Sequence, residues 1–301
     1  MRWLIAGAAG QVGSDLTAEL AASRPGDDVI AAGRSDLDIT DRAGVLGFVR
    51  EARPDVIVNC AAYTAVDAAE SEEERADAVN GWGAEHLAAA ASQWGVRLIH
   101  LSTDYVFAGT DSAPLLENEP PAPLSAYGRS KALGERLVLS QSGEMYVVRT
   151  SWVYGRVGGN FVKTIAGLAR TQDRIDVVDD QHGTPTWSAH LARGLGALGA
   201  APAARCPPGV WHLTNGGATT WFHFARAIVS GLGEDPEMVH PVARSDVRRP
   251  AARPGFAVLS TTKWEQHGLP ALPRWDTALA TALPIVLADG GGAGYEQSGP
   301  V

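Results

Sequence analysis

The chain has 301 residues, with 25 basic against 34 acidic side chains and a formal net charge of −9, so nucleic acid is excluded as the expected partner because an acidic surface repels a phosphate backbone. Hydrophobic residues make up 45% and charged residues 20%, a composition that packs into a globule rather than staying disordered. Two cysteines, Cys60 and Cys206, cannot build a disulfide framework, and no stretch reaches the roughly 18 apolar residues that span a bilayer.

No basic and then apolar opening marks a signal peptide, so the expected setting is the cytoplasm, with no membrane partner. Among the basic residues only Lys131, Lys163 and Lys263 are lysines; the rest are arginines. A lysine that persists against such a bias is a candidate for a role only lysine can fill.

The first half alternates strand-like and helix-like segments. Arg2–Ala6 is an apolar run that ends at Gly7, and Val12–Ala22 follows with Val12, Leu16 and Leu20 on one helical face. Asp28–Ala32 reads as a second strand and Asp41–Ala52 as a helix. Asp55–Asn59 reads as a third strand, and Glu70–Trp94 as a helix with acids at its start. Val96–Ser102 is a fourth strand, Ser125–Ser140 a helix with Ser125 as N-cap, and Met145–Thr150 a fifth strand. Strands separated by helices imply a parallel sheet covered on both faces, hence strands without polar alternation.

The second half is less regular. Helices are expected at Phe161–Arg170, Ser188–Leu198 and Trp221–Leu232, and short strands at Val177–Val178 and Val210–Leu213. The expected fold is α/β, a Rossmann-type doubly wound parallel sheet with a smaller, mixed C-terminal lobe. Residues 1–155 form the dinucleotide-binding domain, with later segments returning to it. Residues 156–287 form mainly the substrate-binding lobe, and the Gly-rich residues 288–301 a disordered tail.

Between the first strand and its helix lies Gly7-Ala8-Ala9-Gly10-Gln11-Val12-Gly13. Glycines at this spacing let the chain turn tightly, let its backbone approach a pyrophosphate, and let the helix pack close to the strand. The helix N-terminus then offers N–H donors to the phosphates. The second strand ends at Gly33-Arg34-Ser35, with no acid to hold a ribose 2′-hydroxyl. Arg34 is either a solvated surface arginine or the receptor for a 2′-phosphate, the second of which favours NADP(H) over NAD(H).

Tyr127-Gly128-Arg129-Ser130-Lys131 is a YxxxK pattern at the start of the helix after the fourth strand. Residues i and i+4 stack on one helical face, and an ammonium beside a phenol stabilises the phenolate, so Tyr127 can deliver a proton to a developing alkoxide. Thr103 ends the fourth strand, where its hydroxyl either caps the strand or hydrogen-bonds a substrate carbonyl. Trp152 follows the fifth strand; its indole either packs in the core or offers an apolar face to a sugar.

Four blocks are specific: Asn59-Cys60-Ala61-Ala62-Tyr63-Thr64-Ala65-Val66-Asp67, Ser102-Thr103-Asp104-Tyr105-Val106-Phe107, Arg149-Thr150-Ser151-Trp152-Val153-Tyr154-Gly155 and Asp180-Gln181-His182-Gly183-Thr184-Pro185-Thr186. With the GxxGxxG loop and the Tyr/Lys pair, they resemble the dTDP-4-dehydrorhamnose reductase family of the extended short-chain dehydrogenase/reductases, from Met1 to about Leu283. The resemblance implies reduction of the C4 ketone of a dTDP-4-dehydro-6-deoxyhexose, above all dTDP-4-dehydro-L-rhamnose, by NADPH or NADH.

Carried onto this chain, the resemblance makes Tyr127 the proton donor. Lys131 holds the nicotinamide ribose and lowers the tyrosine pKa, and Thr103 orients the ketone. Asp104 and Trp152 contact the sugar. Gly7, Gly10, Gln11, Val12 and Gly13 form the pyrophosphate loop, Asp38 and Ile39 the adenine-side contact, and Ala61, Ala62 and Tyr63 line the cofactor. Other readings are a reductase of a different dTDP-4-keto-6-deoxysugar in a secondary pathway, and a non-catalytic NADP-binding regulatory subunit.

A homodimer is left open. Some family members bridge two subunits with magnesium through carboxylates. Asp15 could stand for one ligand, but the other position falls near His190, and Mg²⁺ wants oxygen, so no metal site is assigned. Asp15 and the run Glu70–Glu74 are read as solvated acids at helix starts, and Lys263 as a surface charge.

Overall fold

The computed structural model describes residues 1–110 and 112–288, so the expectation for the tail falls, from residue 289 on, outside the described residues. The first half runs β1 (Arg2–Ala6), α1 (Gln11–Ser23), β2 (Asp28–Ala32), α2 (Arg42–Ala52), β3 (Val56–Asn59), α3 (Glu73–Ala76), α4 (Gly83–Trp94), β4 (Arg97–Thr103), α5 (Ala126–Leu139) and β5 (Met145–Thr150). The second half runs β6 (Val153–Tyr154), α6 (Phe161–Ala169), β7 (Ile175–Val178), β8 (His182–Gly183), β9 (Thr186–Trp187), α7 (Ser188–Ala200), β10 (Gly209–His212), β11 (Thr219–Thr220), α8 (Trp221–Gly231), β12 (Val239–Val242), α9 (Thr262–Gln266) and α10 (Trp275–Leu287).

Six strands form one parallel sheet in the order β10-β5-β4-β3-β1-β2. Successive side chains of β1 point to opposite faces. Trp3 and Ile5 join Leu16, Leu20, Leu195 and Trp211 in a core under α1 and α7. Leu4 and Ala6 join Val45, Val49, Leu87 and Val147 in a second core under α2 and α4. All four residues of β3 and all six of β5 are buried, which is why Val56–Val58 and Met145–Val148 run without polar alternation, while Asn59, Arg149 and Thr150 at the strand ends are buried polar groups.

The strand order reverses at β1, with β2 on one side and β3 on the other. The crevice beyond the carboxyl ends of β1 and β3 is the topological switch point, where open α/β sheets bind ligands. A third core, built on Val162, Ile165, Val177, Phe224, Ile228 and Leu279, holds α6, α8 and α10 with the short two-stranded sheets β12-β7 and β6-β9, and β11-β8 forms a further two-stranded pair.

The segment Glu70–Trp94, expected as a helix, is helical from Glu73 to Trp94, with a π turn inside it. A 3₁₀ turn at Ala68–Glu70 precedes α3, and a π-helical turn at Asp77–Trp82 separates α3 from α4. The π turn buries Asn80, and α5 comes so close that a Cβ on Gly134 would stand 2.2 Å from the Asn80 carbonyl oxygen. Helix α10 has no counterpart in the sequence reading, and it carries Pro284 in its interior.

Candidate active site

The parallel strands bring their carboxyl ends to one edge. After β1 the chain turns at Gly7, whose φ of +77° suits glycine alone. A Cβ there would stand 2.5 Å from the Ala61 nitrogen, so the loops after β1 and β3 touch through glycine. A Cβ on Gly13 would stand 2.3 Å from the Gly7 carbonyl oxygen, so this glycine is what seats α1 against the turn. Gly10 is the N-cap residue of α1 and has no side chain to cover the helix's first N–H groups. The open helix start and the tight glycine cradle suit a pyrophosphate.

The remaining cofactor candidates spread along the same edge. Gln11 donates to the Gly159 carbonyl and accepts from Asn160, and Val12 packs on the core. Arg34 is exposed at the tip of β2, and its charge helps hold the Asp38 carboxyl below its usual range, after the larger effect of hydrogen bonds from Thr40. The Ile39 side chain is buried against Gly83, and its carbonyl meets His86 Nδ1 at 2.9 Å. Ala61 is half-buried and Ala62 exposed. The Tyr63 backbone is clamped by Asn80, which accepts its N–H at 2.8 Å and donates to its carbonyl at 3.0 Å.

Helix α5 starts at an N-cap on Ser125, whose hydroxyl accepts from the Gly128 N–H. Tyr127 is half-buried one turn before Lys131, its ring edge-on to Tyr105 at 5.6 Å. Lys131 is 2% exposed, and its Nζ donates to the Leu101 carbonyl of β4 at 2.6 Å. Burial brings its pKa down to about 8, and the negative charge of Glu135 one turn on opposes that shift.

Glu135 receives both arms of Arg149, at 2.9 and 2.7 Å, and the Ser102 hydroxyl at 2.5 Å. The Arg149 guanidinium also stands 4.8 Å over the Phe107 ring. This buried pair ties α5 to β4 and β5 beneath the Tyr/Lys pair.

Thr103 stands at the end of β4. Its hydroxyl accepts from the Tyr105 N–H at 3.2 Å and donates to Asp104 Oδ1 at 2.9 Å. Asp104 is buried, its Oδ2 has no partner, and burial pushes its pKa up to about 7 against the hydrogen bond from Thr103. The register pairs Thr103 with Thr150, which puts Trp152 two residues beyond the neighbouring strand tip. The Trp152 indole is half-buried and stacks on Trp221, ring centres 3.6 Å apart, so one of its faces is already taken.

The sequence profile of the RmlD substrate binding domain matches residues 1–287. A dTDP-4-dehydrorhamnose reductase of Streptomyces griseus is 47% identical over 301 residues, covering 99% of this chain and 97% of that protein. A dTDP-4-keto-6-deoxy-D-glucose reductase of Streptomyces niveus is 44% identical, covering 96% of this chain and 98% of that one. The crystal structure of dTDP-4-dehydrorhamnose reductase from Bacillus anthracis in complex with NADP superposes with a TM-score of 0.88 at 37% identity, over 93% of this chain and 98% of that one. The chain belongs to the dTDP-4-dehydrorhamnose reductase family.

Several side chains of this family member were not singled out by sequence reasoning. Glu135 continues the four-residue spacing Tyr127, Lys131, Glu135, a signal legible along one helical face. Asn59 bridges two elements: its Oδ1 accepts the Ala61 N–H and its Nδ2 lies 3.0 Å from His100 Nδ1. Burial, then the Lys131 charge, holds the His100 pKa well below its usual value. Arg253 grips Asp67 with two bonds of 2.8 and 2.7 Å, tying the loop after β3 to the chain before α9. No local pattern marks Asn80, His100 or Arg253, whose partners lie far away in sequence.

Three readings are corrected. Asp15 is not a solvated acid of the first turn: it is half-buried and accepts from the Ser188 hydroxyl of α7. His190 Nδ1 meets the Asn215 amide at 2.9 Å. The acids of Glu70–Glu74 are not merely solvated: Glu70 accepts the Ala126 N–H at 2.8 Å, and Glu73 takes a two-armed bond from Arg129, so they anchor the start of α5.

Lys263 is not a free surface charge. Its Nζ donates to the Val210 carbonyl and stands 4.3 Å over the Trp211 ring. Lys163 donates to the carbonyls of Arg156 and Gly158 and clasps that loop. Cys60 is half-buried as a residue, yet its thiol is enclosed and burial pushes its pKa up to about 12. Among the described residues no helix is long and apolar enough to cross a membrane.

Proposed function

We propose that the chain reduces the C4 ketone of a dTDP-4-dehydro-6-deoxyhexose with NADPH, and that its substrate is dTDP-4-dehydro-L-rhamnose, giving dTDP-L-rhamnose. The observation that carries this reading is the Tyr127–Lys131 pair on α5 beside the Thr103 tip of β4, within a chain of this family.

NADPH supplies the hydride, and its pyrophosphate fits the Gly7–Gly13 cradle, with Arg34 at the tip of β2 for a 2′-phosphate. Tyr127 hands its phenolic proton to the C4 oxygen, and the buried Lys131 ammonium stabilises the phenolate left behind. The Leu101 carbonyl and the Glu135 charge hold that ammonium in place. Thr103 donates to the same oxygen once its proton turns away from Asp104, and Asp104 and Trp152 meet the hexose.

A second reading is supported by the 44% identity to the dTDP-4-keto-6-deoxy-D-glucose reductase. It makes the substrate a different dTDP-4-keto-6-deoxysugar. Retention of Thr103, Tyr127 and Lys131 together speaks against a non-catalytic subunit. The deciding experiment follows NADPH oxidation by the purified chain with a panel of dTDP-4-keto-6-deoxyhexoses and identifies the C4 epimer formed. Turnover of another ketosugar but not of dTDP-4-dehydro-L-rhamnose would select the second reading.

A further inference from the structure

Trp152 has a backbone φ of 45°, the left-handed region that a bulky L residue holds only when its surroundings over-determine it. Three contacts do so. The Trp221 indole lies face to face with it, the planes 10° apart. Gly183 leaves room for it, since a Cβ there would stand 2.4 Å from Trp152 Cε2 and 2.7 Å from Nε1. The Trp152 carbonyl accepts the Thr186 N–H at 3.1 Å.

Trp221 is itself braced. It is the first residue of α8, just after the Thr220 N-cap, and its ring meets Phe161 at 4.5 Å. Phe161 stacks in turn on Phe224, deep in the lobe's core. The orientation of one indole beside the strand tips is therefore dictated by the lobe, through a residue 69 positions away in sequence.

We propose that Trp221 is a positioning residue for hexose binding: it holds the Trp152 indole in one orientation, so that the sugar meets a preformed apolar surface. This rests on the reading above that Trp152 meets the hexose. A side chain fixed before the ligand arrives loses no rotamer freedom on binding, so the gain falls on substrate affinity rather than on the chemical step.

The test combines a spectroscopic signature with kinetics. Two parallel indoles at this separation couple their transitions and give a paired positive and negative band in the far-ultraviolet circular dichroism. In Trp221→Leu that couplet disappears while NADPH affinity is kept. KM for the dTDP-4-keto-6-deoxyhexose then rises about two- to tenfold, the worth of one aromatic pair, with kcat retained. Trp152→Leu raises KM as well, and the double variant rises no further than Trp152→Leu alone.

Gly183→Ala displaces the indole from its other contact and gives the same KM shift, which keeps the test decisive if Trp221→Leu fails to fold. Loss of the couplet with an unchanged KM, or additive effects in the double variant, overturns the proposal. A wild-type chain that shows the couplet but turns over no dTDP-4-keto-6-deoxyhexose overturns the underlying reading of the site, and this inference with it.

Discussion

The Lys131 ammonium donates to the Leu101 carbonyl at 2.6 Å, so the one lysine of the YxxxK pattern is held against the strand that ends at Thr103. Burial brings its pKa down to about 8 from the ordinary value of 10.5. Below about 8 the amine is charged in folded and unfolded chain alike, and the fold carries a charge out of water. Between those two values the unfolded chain binds more protons, so this group's contribution to stability rises with pH through that window. Activity runs the other way, because the phenolate loses its cation. kcat/KM for ketone reduction is expected to fall as pH rises through about 8, and Lys131→Met to lack that limb. A wild-type pH–rate profile that is flat across that point counts against the assignment.

Removing the phenolic hydroxyl of Tyr127 leaves its ring packing near Ala126 and Tyr105 intact. Tyr127→Phe is therefore expected to lower single-turnover reduction by about 10²- to 10⁴-fold, the usual worth of a positioned acid, with NADPH affinity retained by fluorescence titration. Unchanged turnover would remove Tyr127 from the chemistry.

Glu135 and Arg149 are 3% and 2% exposed and bonded through both arms. Breaking a buried pair by removing one partner strands the other charge. Glu135→Leu should cost about 3–5 kcal/mol in urea denaturation, and adding Arg149→Met should restore part of it, since an apolar pair of similar volume needs no compensation. Equal losses in the single and double variants would show that the pair's charge is not what the site depends on.

Gly7 has both a positive φ and no room for a methyl group, the nearest atom being backbone. Gly7→Ala is expected to destabilise the chain by about 1–3 kcal/mol and to weaken NADPH binding, because the Ala61 loop must shift. Thermal melts with and without NADPH check both halves of this expectation.

Arg34 is exposed at the tip of β2. Arg34→Ala should reduce the preference for NADPH over NADH by about tenfold, the scale of one charged hydrogen bond, with NADH kinetics unaltered. An unaltered preference would assign the 2′-phosphate to another group.

The order of β1 to β5, their helices and the glycine loop are legible in the sequence because each depends on local periodicity: apolar runs for strands buried on both faces, and a repeating helical face between them. The spacing of Tyr127 and Lys131 needs only the pitch of one helix. The π turn is not legible in the sequence; Asn80 within it meets Gly134 of α5, 54 positions away in the chain. The acids at Glu70 and Glu73 read as solvated for the same reason, since their partners Ala126 and Arg129 lie on a different helix.

The sequence by itself determined the fold class, the family and which residue types are candidates for the chemistry. Only the tertiary structure decided how those residues are held. It shows Lys131 on a strand carbonyl, Glu135 paired with Arg149, the Tyr63 loop clamped by Asn80, and Trp152 in a left-handed conformation, stacked on Trp221 and against Gly183. The physical reason is range. Periodicity and turn chemistry act between neighbours in the chain, whereas hydrogen bonds, ion pairs and ring stacks act between neighbours in space.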